Sequence, residues 1–231
     1  GAIRGGKGGD MTGVASPRET RVRGFLAQEK AERTRMIVAA AYELIDEGGL
    51  EDLTIRTVLK RTGLARRAFY EQFAGKDDLV LAVVEQAMRF AADMYREMVA
   101  PLADPVERLK AIILSIGHGA ATPEEATSGE GSRMAAALSR EHLRLAESRP
   151  DELHQALRPL MALIADQLAE GMAAGTIRQG EPARLAVFIY NLVATTMHTE
   201  LIAQEATGPA GERRDRLADE LWEFCRRAVA A

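Results

Sequence analysis

The residues with the clearest chemistry lie between positions 53 and 76, in the segment LTIRTVLKRTGLARRAFYEQFAGK. A helix after residue 64 places Arg66, Arg67 and Tyr70 on one face. Its opposite face is apolar and carries Leu64, Ala68, Phe69 and Phe73. An arginine fork can pair with the O6 and N7 edge of guanine or with phosphate oxygens, and a tyrosine hydroxyl can reach a phosphate. The segment therefore has the chemistry of a helix that lies in a DNA major groove.

The same segment has the turn signals of a helix-turn-helix. Thr54 is a favourable N-cap for a first short helix, in which Arg56 stands near the start. Gly63 permits the left-handed turn that ends this helix, and Gly75 closes the second one. The alternative interpretation is a solvated basic face on an ordinary helical pair, because the same shape occurs in proteins that never contact DNA.

Three stretches together resemble the TetR family of bacterial transcriptional regulators. They are RTRMIVAAAYELIDEGGLEDLT, which ends at Thr54, the Gly63-Leu64 pair, and FYEQFAGKDDL, which begins at Phe69. The resemblance runs from Glu32 to about Leu81 and is specific only as a combined pattern. It implies an all-helical protein with a three-helix DNA-binding head and a larger helical body.

The resemblance also implies roles for individual residues. The second helix of the motif reads the groove, Tyr70 and Lys76 hold phosphates, and Arg56 contacts a base. Arg66 and Arg67 stand at groove-facing positions. The predicted DNA-binding residues are Thr54, Arg56, Arg66, Arg67, Ala68, Tyr70 and Lys76.

The chain departs from the family pattern at three positions. Ala65 stands where a capping serine is common, a loss of about 1 kcal/mol. Leu59 replaces a usually small residue on the first helix, so the two helices can cross differently. Glu71 places a negative charge beside the predicted phosphate contacts. These changes affect the contact set rather than the class of protein.

Composition and charge are those of a globular protein with an uneven charge distribution. The 231 residues are 47% hydrophobic and 28% charged, with a net charge of −4. Residues 1–76 hold 14 Lys/Arg against 10 Asp/Glu, whereas residues 77–231 hold 16 against 24. A basic head on an acidic body favours binding of DNA through the head, because phosphate attraction supplies most non-specific affinity.

The chain contains a single cysteine, Cys225, so it can form no internal disulfide, and we expect a cytoplasmic protein. No run of 18 apolar residues and no signal peptide is evident, which predicts no membrane partner. Residues 1–10 are glycine-rich, precede Met11 and are interpreted as a remnant ahead of the natural start. Residues 1–27 are predicted to be a flexible tail, in which Arg18, Arg21 and Arg23 form either a basic arm for DNA or a solvated segment.

The pattern predicts about nine helices in two domains, a head at 28–76 and a body at 77–231. The first helix should span about residues 28–47 and the fourth 77–99, and the fifth should begin at Pro105. Further helices are predicted at about 132–147, 150–174, 182–206 and 211–230, with a kink or break near Pro159. A start signal at Thr122-Pro123 is cut short by the glycines that follow.

The last two helices predict a contact between two copies of the chain. The eighth is apolar nearly all round between residues 185 and 194, and the ninth has one apolar seam. The resemblance also implies a homodimer through these two helices. The predicted contact residues are Leu192, Leu217, Leu221, Phe224 and Cys225.

No motif for a nucleophile, a phosphate loop or a metal site was found, so we predict no enzyme, no metal and no cofactor. The four histidines are scattered over different predicted helices. The body is rich in methionine, which fills core space or suits an adaptable apolar pocket. The resemblance implies an effector pocket in the body. Its predicted residues are Met94, Ile113, His118, Met134, Met161, Phe188, Asn191 and His198.

The sequence as a whole favours a homodimeric repressor that binds a palindromic operator on double-stranded DNA and is released by a small apolar effector. Two alternatives remain open at this point. One is a helical enzyme or ligand-binding protein with a vestigial head, and the other is a DNA-binding protein that needs no ligand.

Overall fold

The computed structural model describes residues 17–118, 132–207 and 211–231, and within these ranges it contains nine helices and no strand. The helices are α1 Pro17–Gly48, α2 Ile55–Thr62, α3 Arg66–Tyr70, α4 Lys76–Val99, α5 Pro105–His118, α6 Ser132–Ser148, α7 Pro150–Ala174, α8 Pro182–Thr207 and α9 Gly211–Val229. The all-helical prediction is confirmed. The start signal at Thr122-Pro123 lies outside the described residues.

The first helix begins at Pro17 rather than near residue 28, so residues 17–27, which were predicted as a flexible tail, are helical. Proline suits the first position of a helix, and the residues after it are mostly good helix formers. Adding turns to an existing helix costs far less than starting a new one, so α1 continues through Gly24 without a break.

The first three helices pack around a small apolar core that positions the helix-turn-helix. Its fully buried side chains are Ile37, Ala41, Ile45, Leu53, Val58, Phe69 and Leu79. The helix spacing of the α1 members follows the 3.6-residue period, which places them on one face. The buried cluster continues into the body as far as Val229, so head and body share one core.

The body is built around α7, which packs against α4, α5, α6 and α8. Pro159 lies inside α7, yet the helix runs unbroken from Pro150 to Ala174. The predicted break is therefore absent, because one missing N–H bond is outweighed by burial on both sides of it, including Leu157 and Leu160. Helix α9 packs against α5 and α8.

Helix α8 is unusually apolar. Its segment Pro182–Ala203 has the length and composition of a membrane-crossing helix, a test that core helices also pass. In this structure α8 packs against α5, α6, α7 and α9. The phenyl ring of Phe188 nevertheless stays 56% exposed, so one apolar part of α8 is not covered within a single chain.

Candidate nucleic-acid interface

Helix α2 starts at a reciprocal cap. The Thr57 N–H donates to Thr54 Oγ1 at 3.1 Å, and the Thr54 N–H donates to Thr57 Oγ1 at 3.0 Å. Two backbone donors that a helix start leaves unpaired are thereby satisfied. The cap confirms the predicted start of the first motif helix, and it places Arg56 in the first turn of α2.

The turn between α2 and α3 depends on Gly63, whose φ of 70° is left-handed. Its N–H donates to the carbonyl of Leu59 at 2.9 Å. Arg61, two residues earlier, bonds Glu43 at 3.2 Å and Glu47 at 2.7 Å, which ties the end of α2 to α1. The hydrogen bond from Arg61 lowers the pKa of Glu47 below its usual range.

Helix α3 has only five residues and no side-chain cap, as the sequence predicts from Ala65. Packing holds it instead, because Phe69 is fully buried and its ring centroid lies 5.6 Å from that of Phe73. The backbone N–H of Phe73 also donates to the carbonyl of Phe69 at 2.9 Å. The outward face of α3 is therefore fixed by the aromatic contacts beneath it.

Arg66 and Tyr70 meet on that outward face. The Arg66 guanidinium lies 5.5 Å from the centre of the Tyr70 ring, and its Nη2 lies 3.3 Å from the Tyr70 hydroxyl. Tyr70 is 44% exposed, so its hydroxyl and the guanidinium both face solvent. A guanidinium stacked on a ring keeps its donors free for a further partner.

The negative charge of Glu71 is compensated within the head. Arg67 Nε donates to Glu71 Oε1 at 2.9 Å, and Arg33 Nη1 lies 3.5 Å from Glu71 Oε2. The expected disturbance of nearby phosphate contacts is therefore reduced. Arg67 keeps a 90% exposed side chain, although part of its charge is neutralised by Glu71.

The remaining predicted contact residues lie around this face. Arg56 is exposed, and no carboxylate in the described part of the chain pairs with it. Lys76 is the first residue of α4, and its Nζ lies 3.5 Å from the carbonyl of Leu50. Ala68 is half-buried against the head, and the hydroxyl of Thr54 is used by the cap.

Ion pairs join the head to the body at the first turn of α4. Arg144 of α6 bonds both carboxylate oxygens of Asp77, at 2.7 and 3.1 Å. Arg149, which precedes α7, bonds Asp78 at 2.5 Å. These bonds lower the pKa of both aspartates. We call these four residues the junction; its arginines are functional candidates that the sequence analysis missed, because nothing local to residues 144 and 149 identifies their partners.

The predicted effector residues differ in burial. Ile113 and Met161 are buried, Met94 is half-buried, and His118 Nε2 lies 3.1 Å from Asp215 Oδ1. Phe188 and Asn191 are exposed, so within one chain they do not line an interior cavity. The side chain of Met134 lies outside the described residues.

Two scattered histidines do converge inside the body. The ring centroids of His142 and His198 lie 4.7 Å apart, and His142 lies 6.3 Å from the buried ring of Tyr190. The Nδ1 atom of His198 is buried without a hydrogen-bond partner among the described residues. Burial is the main cause that lowers the pKa of both histidines, to about 4 for His198. Sequence spacing gave no signal for this pair, because the rings come from α6 and α8.

The predicted dimer residues divide into two groups. Leu221 and Cys225 are buried between α9 and its neighbours within one chain, and their predicted contact with a second copy stays a prediction. They point inward because α9 covers α5 and α8 of its own chain. Leu192 and Leu217 are half-buried, whereas Phe224 is 63% exposed.

These features define a class of protein in which a helix-turn-helix head is fixed to a larger helical body. Residues 37–83 match the family described as "Bacterial regulatory proteins, tetR family". The HTH-type transcriptional regulator BetI 1 of Chromohalobacter salexigens is 33% identical over 82 residues, which cover 35% of this chain and 41% of that relative. This chain thus spans about two-fifths of the length of its BetI relatives.

Solved structures extend the likeness to the body. RolR in complex with resorcinol has a TM-score of 0.64 at 15% identity and covers 88% of this chain and 90% of its own. A TetR-family transcriptional regulator from Pectobacterium atrosepticum has a TM-score of 0.63 at 20% identity and covers 88% and 97%. Residues 37–83 thus match the TetR family, and the chain as a whole shares the all-helical fold of a TetR-family transcriptional regulator.

We predict that the free energy of unfolding falls as the pH is lowered from about 6.5 towards 4. The folded-state pKa of His198 is lowered, so the unfolded chain binds the proton first and acid favours unfolding. This cost is absent above about pH 6.5 and complete below the folded pKa. Replacing His198 with glutamine should make the acid-induced fall in the free energy of unfolding smaller by roughly 1–3 kcal/mol.

Urea unfolding at several pH values above about 5 measures this effect. Below that pH the protonation of Asp77 and Asp78 also lowers the free energy of unfolding, because their ion pairs are lost. His154→Gln is the matched control, since His154 is exposed on α7. Identical pH dependence in H198Q and H154Q would contradict the prediction.

Proposed function

We propose that this protein is a homodimeric, ligand-released transcriptional repressor that binds a palindromic operator through α2 and α3. The observation that carries the DNA-binding part is the outward face of α3, where Arg66 and Tyr70 are held in contact above the buried Phe69. The BetI relatives are named as HTH-type transcriptional regulators, which supports the same function.

The charges of the head suit double-stranded DNA. Arg56 and Arg66 have no carboxylate partner in the described part of the chain, so their forks are available for guanine edges or phosphates. Lys76 stands at the N-terminal end of α4, where a phosphate is favoured by the helix dipole. Such a repressor acts on the chromosome, in agreement with the cytoplasmic location expected from the single cysteine.

An operator can be selected from random double-stranded DNA with the immobilised protein. The proposed function expects recovery of a two-fold symmetric sequence with half-sites about one turn apart, roughly 34–36 Å. Recovery of no preferred sequence would overturn the DNA-binding proposal and favour a body that binds ligand without a DNA-reading head.

Arg56→Ala and Arg66→Ala should each weaken operator binding by about 1–3 kcal/mol while changing random-DNA binding less. Lys76→Ala should weaken operator and random DNA by the same factor, because phosphates carry no sequence. Fluorescence anisotropy with both DNAs at fixed salt measures the two affinities. An unchanged specificity ratio in both arginine variants would show that neither arginine reads a base.

The second copy in the proposed dimer covers the exposed aromatic residues of the last two helices. Phe188 of α8 and Phe224 of α9 are more than half exposed, and Arg184 lies 5.6 Å from the Phe188 ring centre. Large exposed apolar side chains are common at interfaces between subunits. Leu221 and Cys225 lie buried beneath this surface within the same chain.

Phe224→Glu is expected to split the dimer and to weaken operator binding at the same time, because a buried charge would lie in the interface. Light scattering and anisotropy on the same sample measure both. Phe90→Glu is the control, since Phe90 is a similarly exposed aromatic residue on α4. A monomeric F224E variant that binds operator as tightly as the wild type would contradict the dimer proposal.

The proposed effector is a small, largely apolar molecule that carries a polar group. The body offers buried methionine and aliphatic side chains, and the unpartnered Nδ1 of His198 offers one polar contact. RolR, which shares the fold, is a protein whose solved complex contains resorcinol. This likeness supports a small ligand for the body and does not identify it.

The junction provides a physical connection between the body and the head. Arg144 and Arg149 lie at the ends of α6 and α7 that face α4, and they hold Asp77 and Asp78 directly after the DNA-reading segment. A ligand that moves α6 therefore changes the position of the first turn of α4. It acts as an effector only if it binds the two positions with different affinity.

An effector found by thermal shift should lower operator affinity about 5- to 150-fold, which corresponds to a coupling of 1–3 kcal/mol. Reciprocity requires saturating operator DNA to weaken ligand binding by the same factor. Titration calorimetry in the presence and absence of operator measures this. A ligand whose affinity is indifferent to operator would show that the body binds without signalling.

A further inference from the structure

Helix α1 extends well beyond the part of the head that the family model matches. The matched residues are 37–83, whereas α1 begins at Pro17. We call residues 17–32 the extension. At 1.5 Å per residue its length is roughly 24 Å, which is comparable to seven base pairs of DNA.

The end of the extension that joins the head lies beside the C-terminal end of α3, the proposed DNA-reading helix. Thr34 Oγ1 donates to Gln72 Oε1 at 3.0 Å, and Arg33 lies 3.5 Å from Glu71. Both partners directly follow α3. The chain of α1 therefore leaves the head beside the surface that carries Arg66 and Tyr70.

Helical periodicity decides which side of the extension continues the inward face of α1. Ala41, Val38 and Thr34 lie on the face that packs towards α2, α3 and α4. Residues 4, 7 and 11 positions before Thr34 share its face, so the stripe continues through Lys30, Ala27 and Arg23. Beyond the head this stripe has no protein to cover it, and all three residues are exposed.

The two cations on this stripe form no ion pair with a described residue, although Lys30 lines a shallow groove together with Glu29 and Glu71. Neighbouring arginines have partners, since Arg33 pairs with Glu29 at 2.7 Å and Arg35 pairs with Glu32. In the described part of the chain no carboxylate pairs with Arg23 or Lys30. Two unpaired cations separated by about two helical turns suit a regularly spaced row of negative charges, and the proposed neighbouring partner supplies that row as phosphates.

We propose that Arg23 and Lys30 bind the DNA phosphate backbone next to the site of α3, so that the extension of α1 is a second, sequence-independent DNA contact. This inference rests on the proposed DNA-binding function, and it enlarges the protein surface that contacts DNA. The extension contributes affinity and salt dependence, whereas α2 and α3 contribute sequence preference.

The test compares R23Q/K30Q with the wild type on operator and on random DNA over a range of salt concentrations. The double variant should weaken binding to both DNAs by the same factor, about 10-fold or more near physiological salt. The slope of log K against log salt should become shallower by up to about 1.8, which is about 0.9 for each lost phosphate contact. Circular dichroism checks that the helix content is retained.

Arg21→Gln is the matched control, because Arg21 lies on the same extension but about 140° away from the stripe. It removes the same type of charge and should change affinity less than 2-fold. Equal effects of R21Q and R23Q would show that general charge, rather than a positioned contact, explains the result and would overturn the inference.

A variant that keeps the charge and breaks the helix gives an independent measurement. A Cβ added at Gly24 meets no atom within 4 Å, so Gly24→Ala is tolerated, whereas Gly24→Pro interrupts α1 between Arg23 and Lys30. The slope of log K against log salt should become shallower in G24P by about half as much as in R23Q/K30Q. In G24A this slope should equal that of the wild type. Wild-type salt dependence in G24P would contradict the helical placement of Arg23.

Three results distinguish the possible failures. Wild-type protein that binds no DNA overturns the proposed function and this inference together. Wild-type binding with an unchanged slope in R23Q/K30Q overturns this inference alone. A change only in oligomeric state by light scattering, without a change in DNA affinity, shows that the stripe contacts protein and also overturns it.

Discussion

The burial of Phe69 beneath α3 is the interaction on which the proposed DNA-binding surface depends. A helix of five residues has too few internal hydrogen bonds to persist alone, and this one also lacks a side-chain cap. The buried ring and its contact with Phe73 supply the missing stability from the apolar side. Because buried apolar contacts hold α3 in place, the polar groups of Arg66 and Tyr70 are not needed to stabilise the helix and can face outward. The left-handed Gly63 completes this arrangement by setting the direction in which α3 leaves α2.

Charge pairing separates the arginines that build the protein from those available to a partner. Arg61 joins α2 to α1, and Arg144 and Arg149 join the body to α4. Their carboxylate partners satisfy them, so they add little to the attraction between the head and DNA. Among the described residues, Arg23 on the extension and Arg56 on the head form no ion pair. A net charge of −4 therefore coexists with a head that can attract phosphates, since the acidic excess lies in the body.

The body has the opposite character, with polar groups enclosed by apolar helices. His142 and His198 face each other beside the buried Tyr190, and both are favoured in their neutral forms by burial. Enclosed polar groups with an unused hydrogen-bonding atom are costly to a folded protein, so their presence favours a functional use. The proposed use is a polar contact to an effector, with the junction at Asp77 as its connection to the head.

Local patterns in the sequence determined the helices, their caps and the DNA-binding candidates. Thr54, Gly63 and Ala65 were interpreted correctly because capping and left-handed turns depend on a few adjacent residues. The same local reasoning placed the start of α1 too late. An existing helix is extended at little cost, so α1 continues towards the N-terminus as far as Pro17. It also predicted a kink or break near Pro159, and the break is absent because tertiary packing holds the helix on both sides of the proline.

Only the tertiary structure decided which residues meet across helices. The junction arginines, the histidine pair and the compensation of Glu71 by Arg33 join positions that are far apart in the chain, and no spacing rule reports such pairs. The two sides of α9 were likewise assigned by packing, because an amphipathic seam looks the same whether its partner is the same chain or a second copy. Leu221 fills the core of its own chain, and Phe224 remains exposed. A sequence determines where an apolar face lies on a helix, whereas the surface that covers this face depends on how all the helices share the available core.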